Sequence, residues 1–94
     1  MEAGLQNALE ELNRSLNKIK TLAEWVKLKQ MENRTIQPCL QFPDDSTCDL
    51  RIEVWYFQAL AKEFECHVNH DPEAKAIFIQ LYHQFTRLDM PIGL

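Results

Sequence analysis

The sequence predicts an all-α fold of three main helices, with a long N-terminal helix packed on a C-terminal antiparallel helical hairpin. Three observations carry that prediction. Leu5, Leu9, Leu12, Leu16, Ile19, Ala23 and Val26 recur at alternating steps of four and three, the rhythm of a left-handed coiled-coil seam. The four prolines, Pro38, Pro43, Pro72 and Pro91, stand outside the periodic apolar runs, and with only two glycines the long segments between them carry few helix breakers. The stretch "NHDPEA" is a helix start for three separate reasons: Asp71 can cap, Pro72 fixes φ at the first helical position, and Glu73 complements the helix dipole.

The first helix is expected over about residues 3–33. Glu10 and Arg14 sit four apart in the favourable order, and Lys18, Lys20, Lys27 and Lys29 crowd its C-terminal half, where they offset the dipole. Up to Ile19 its apolar stripe is a narrow seam; beyond it, Leu22, Trp25 and Leu28 add apolar surface outside the a/d line. The two halves are therefore expected to face different things.

The segment "TIQPCLQFPDDSTCD" breaks the rhythm with two prolines, adjacent aspartates and hydroxyls, and reads as a loop over 34–46 anchored by Ile36, Leu40 and Phe42. Ser46 and Asp49 have capping-box spacing, which starts the second helix at about residue 47 and carries it to about 68. Leu50, Val54, Phe57, Ala61, Phe64 and Val68 line one of its faces, and Ile52, Trp55, Tyr56, Ala59 and Leu60 much of the opposite side. A helix apolar around most of its circumference is expected to be covered on more than one side. The third helix runs over about 72–88, with Ala74, Ile77, Phe78, Leu81, Tyr82, Phe85 and Leu88 on one face, and "MPIGL" ends it in an apolar tail.

Composition narrows the function. At 94 residues the chain is one domain, and 46% apolar against 26% charged residues is a globular balance. The net charge of −4, 14 acids against 10 bases without a block of either sign, disfavours phosphate-backbone binding. Read as a helix-turn-helix, the third helix would present Lys75, Gln80, Gln84 and Arg87, only two of them basic, which points away from DNA. No apolar run is long enough to span a bilayer, and "MEAGLQNALEELNR" carries acids where a leader would carry lysines. With three irregularly spaced cysteines, this predicts a cytoplasmic protein with reduced thiols and no membrane partner.

The chemistry-bearing side chains are sparse. Cys66, His67 and His70, with His83 and Cys39 or Cys48, are metal-ligand types without the paired spacings that structural zinc uses, so no metal or cofactor is assigned. Cys66 and His70 stand four apart, but a thiolate site also needs an orienting group, an oxyanion hole and a pocket. Asp44 and Asp45 read as turn residues.

What stands out instead is surplus apolar surface. If Trp25 and Leu28 cover the Ile52, Trp55 and Tyr56 side of the second helix, the Leu5, Leu9, Leu12, Leu16 and Ile19 seam projects beyond the hairpin and requires a cover. The expectation is a non-enzymatic interaction protein of inhibitor, adaptor or chaperone type. It would form a homodimer through that seam and meet a larger protein through Trp25, Leu28, Ile52, Trp55 and Tyr56. The alternative is a small-ligand or nucleotide-binding module with a pocket between helices or subunits, lined by Trp55, Tyr56 and the histidines.

Overall fold

The computed structural model describes residues 2–35 and 46–91, with side chains over 2–31 and 48–91. It contains α1 (Ala3–Thr35), α2 (Ser46–His67) and α3 (Pro72–Thr86), each end within two residues of the range read from the sequence. The expected loop anchors Ile36, Leu40 and Phe42, the Asp44–Asp45 pair and the Ser46 cap lie outside the described side chains.

Side-chain pairs give the topology. Along the α1/α2 interface Glu11 meets Tyr56, whereas Ser15 and Lys18 both meet Glu53, so α2 retreats as α1 advances and the two are antiparallel. Lys20 meets Gln84 and Lys27 meets Asp89, so α3 advances with α1. The result is an up-down-up bundle of 53 × 20 × 16 Å. Its length is that of α1, since 33 helical residues span about 50 Å.

The α2–α3 turn is closed by the Asp71 N–H donating to the Val68 carbonyl at 3.0 Å. Asp71 then caps α3: its backbone is extended, at φ −129° and ψ 97°, and its Oδ1 accepts from the Ala74 N–H at 3.2 Å. Between α2 and α3 the contact is aromatic, with Phe57 on Phe85 at 4.6 Å and Phe64 on Phe78 at 5.2 Å between ring centroids. These offset rings fill the space between the two helices, and α1 packs against both.

The core is one cluster running the length of the bundle, from Leu5 and Leu9 through Leu16, Ile19, Leu50 and Phe57 to Phe64, Val68 and Phe78. Here the structure corrects the expectation that the Leu5–Ile19 seam projects beyond the hairpin to meet a second chain. Leu12, Leu16 and Ile19 are fully buried within this chain, and Leu5 and Leu9 nearly so. The reason is length: α2 starts opposite the C-terminal part of α1, and its 22 residues, about 33 Å of helix, reach back to Leu5. Trp25 and Leu28, expected to cover the far side of α2, are themselves exposed. After α3 the tail returns to α1, with Leu88 and Met90 packed on the core and Asp89 paired to Lys27 at 3.2 Å.

One polar group is built into the α1/α2 interface. Ser15, buried, donates its hydroxyl to Glu53 Oε2 at 2.7 Å, and Lys18 Nζ lies 3.3 Å from Glu53 Oε1. The Glu53 side chain is only 12% exposed, so both its oxygens are satisfied by α1. A carboxylate with so little access to water favours the one register that supplies those partners.

Candidate interaction surface

Once α1 and α3 have covered the Leu50–Phe57–Phe64 side of α2, its opposite pole remains open. Cys48, Ile52, Trp55, Ala59 and Cys66 follow one another at steps of four, three, four and seven, and all are exposed. This is a second helical seam, facing outward. Ile52 is 65% exposed and Trp55 73%, and Tyr56 on the shoulder toward α1 is 40% exposed. Taking ~200 Å² for each fully exposed large side chain, these three present roughly 350 Å² of contiguous surface, within the range of functional patches on monomers.

Tyr56 closes the α1 side of the strip. Its hydroxyl donates to Glu11 Oε1 at 2.6 Å. That hydrogen bond, joined by partial desolvation and the negative charges of Glu11 and Glu53, holds the phenol above the ordinary tyrosine range.

Trp25 is also half exposed, but its ring face is occupied by the Lys29 ammonium 5.1 Å from the centroid. Trp25, Leu28 and Met31 stand on the C-terminal half of α1. The five residues read from the sequence as partner-binding, Trp25, Leu28, Ile52, Trp55 and Tyr56, are thus all exposed, on two elements.

A concave feature lies at the other end of the molecule. Glu2 with the first turns of α1, and residues 60–70 of α2 and its turn, flank an open cleft of about 510 Å³. Its apolar wall is Leu5, Ala8, Leu60 and Phe64; Glu2, Glu11, Glu63, Asn7, His67 and His70 supply the polar groups. His67 and His70 line this cleft, whereas Trp55 and Tyr56 do not. The signal that sequence reasoning missed is the antiparallel register, which brings the start of α1 against the end of α2.

The thiol of Cys66 contacts the Lys62 carbonyl at 3.5 Å, one turn back on its own helix. His83 belongs to the last turn of α3, where its carbonyl accepts from Thr86 and Arg87. Among the described residues no three histidine, cysteine or acidic side chains gather as metal ligands, and no helix is long and apolar enough to cross a membrane. Comparison with family models, curated proteins and solved structures returned no match.

Proposed function

We propose that this is a non-enzymatic, cytoplasmic protein–protein interaction protein, and that its partner docks on the outward seam of α2. Trp55 carries the reading: a residue type that dominates binding hot spots stands 73% exposed beside Ile52 and Tyr56, on a bundle whose core is already full.

The chemistry of the strip selects the occupant. Apolar positions at four-three-four spacing along one helix match the stripe of another helix. Roughly 350 Å² is less than half of the ~800 Å² per partner that a stable globular interface uses. The occupant is therefore a single amphipathic helix belonging to a larger protein, with a bulky apolar side chain seated at Trp55, rather than a second copy of this chain joined through the strip alone.

The test places a photo-crosslinking amino acid at position 55 and, as a control, at the exposed Gln80 on α3. An adduct at position 55 that maps to a helical segment of another polypeptide supports the reading. The control position should give none, and Trp55→Ala should weaken the isolated pair by at least about thirtyfold. The same substitution should leave stability within about 0.5 kcal/mol, because the side chain is not core. Adducts only to a second copy, or a Trp55→Ala protein that binds as tightly as the parent, would overturn it.

A further inference from the structure

The outward seam of α2 has a second property. Lys62, also exposed, fills the step of seven between Ala59 and Cys66, so Cys48, Ile52, Trp55, Ala59, Lys62 and Cys66 keep an unbroken alternation of four and three. Cys48 and Cys66 close its two ends. Both are free, exposed thiols, and the helix sets them on one line about 27 Å apart, about five turns of 5.4 Å. That distance excludes a disulfide within one chain, since bridged cysteines hold their Cα atoms about 4.4–6.8 Å apart. We infer that the two thiols form a redox-controlled link between two copies of this chain. Cys48 of each copy joins Cys66 of the other, and the antiparallel pair so made closes the strip.

The order of side chains along the seam supports that register. Two copies set antiparallel with Cys48 opposite Cys66 place Ile52 opposite Lys62 and Trp55 opposite Ala59. In each central layer an indole meets a methyl group, the large-against-small filling that lets facing helices interdigitate. In each outer layer the Lys62 stem lies along Ile52 while its ammonium reaches water. A parallel pair would also bring cysteines together, but it stacks Trp55 on Trp55 and sets Lys62 against Lys62, a like-charge contact within the seam.

With the thiols reduced, roughly 350 Å² per copy is too little to hold two copies together. Covalent linkage supplies the remainder, because the first disulfide makes the second an intramolecular step. The oxidant is a small disulfide such as glutathione disulfide. A cysteine thiolate attacks it, forming a mixed disulfide and releasing one glutathione thiolate; the facing thiolate of the second copy then attacks the protein sulfur and expels the other. Each link oxidises two protein thiols and reduces one glutathione disulfide to two glutathiones, which take up the two thiol protons. Disulfides that arise in reducing compartments are usually transient and redox-sensing. That oxidation shuts out the partner rests on the reading of the strip as a docking surface; the covalent pair does not.

The experiment uses the full chain with Cys39→Ser and Trp25→Phe, which leaves the two seam thiols and one indole, Trp55. In glutathione disulfide it should form a covalent dimer that dithiothreitol returns to monomer, and peptide mapping should find Cys48 joined to Cys66. Cys48→Ser and Cys66→Ser should each link at least about tenfold more slowly, whereas an equal mixture of the two should link readily through one disulfide. Acrylamide quenching of Trp55 fluorescence should fall at least about twofold on oxidation, as the indole passes from water to the second copy. Ala59→Trp, at an exposed position that leaves the fold intact, sets two indoles against each other and should slow linkage about tenfold. No readout here involves the partner, so the covalent pair and the docking reading fail separately. Cys48–Cys48 and Cys66–Cys66 links, single variants that link as fast as the parent, glutathione adducts without a covalent dimer, or unchanged quenching would each overturn the inference.

Discussion

The burial of the α1 seam makes Leu16 the most informative single position. Its side chain is 0% exposed and sits beside Ser15, at the level where α1 meets Glu53 of α2. Leu16→Ala removes three heavy atoms from a packed site, and such truncations cost about 2–5 kcal/mol. A chain of 94 residues has a net stability of roughly 5–14 kcal/mol, so the variant should still fold with a large fraction of that lost. With a urea dependence of about 1.5 kcal/mol per molar, the midpoint should fall by roughly 2 M. Leu16→Asp, which forces a carboxylate into the same place without a partner, should leave the chain unfolded in buffer. Circular dichroism at 222 nm in a urea series, with light scattering on the same samples, measures both. Because the seam is covered by its own chain, the parent midpoint should not depend on protein concentration. A midpoint that rises with concentration, together with a Leu16→Asp protein that is folded and monomeric, would refute this reasoning and return the seam to an interface between chains.

Three further outcomes follow from named contacts. Ser15→Ala removes the hydroxyl that Glu53 Oε2 accepts at 2.7 Å; a hydrogen bond to a largely buried carboxylate contributes about 1.5–3 kcal/mol, and the loss should appear as a lower urea midpoint. Asp71→Ala removes the cap on the Ala74 N–H and should cost about 0.5–2 kcal/mol, with amide exchange accelerated first in the opening turn of α3. The bond from Tyr56 to Glu11 favours the neutral phenol in the folded state, so the fold binds that proton more tightly than the unfolded chain does. Its stabilisation is complete below the unfolded tyrosine pKa and is lost as pH rises through the higher folded value. Phenolate absorbance should show Tyr56 ionising at higher pH in the parent than in Glu11→Gln, and equal titration in the two proteins would contradict the assignment.

The helix limits and the Asp71 cap were legible because each depends on neighbours in sequence. Spacing also identified the seam from Leu5 to Val26, and identified α2 as apolar on two sides. What covers each side was not legible, because periodicity gives the direction of a stripe on its helix and not the residues opposite. The volume argument assumed that Trp25 and Leu28 had to shield Trp55. In the structure the leucines of α1 and the rings of Phe57, Phe64, Phe78 and Phe85 fill the interior without them. The Ser15–Glu53 bond left one trace in the sequence, a small hydroxyl residue directly beside a seam leucine. Its partner is 38 positions away and is set by the register of two helices. The cleft depends on the same register and left no trace at all.

The up-down-up order of α1, α2 and α3 also fixes where attachments can go. Glu2 stands at the cleft, whereas the chain after α3 leaves beside Lys27, about 37 Å farther along the rod. A dye, surface tether or fused domain placed at the C-terminal side leaves the cleft clear, while the same addition at the amino end stands directly over its mouth. Donor and acceptor dyes at positions 2 and 89 would be held at a separation set by α1 itself, which makes the bundle its own ruler for any bending of that helix.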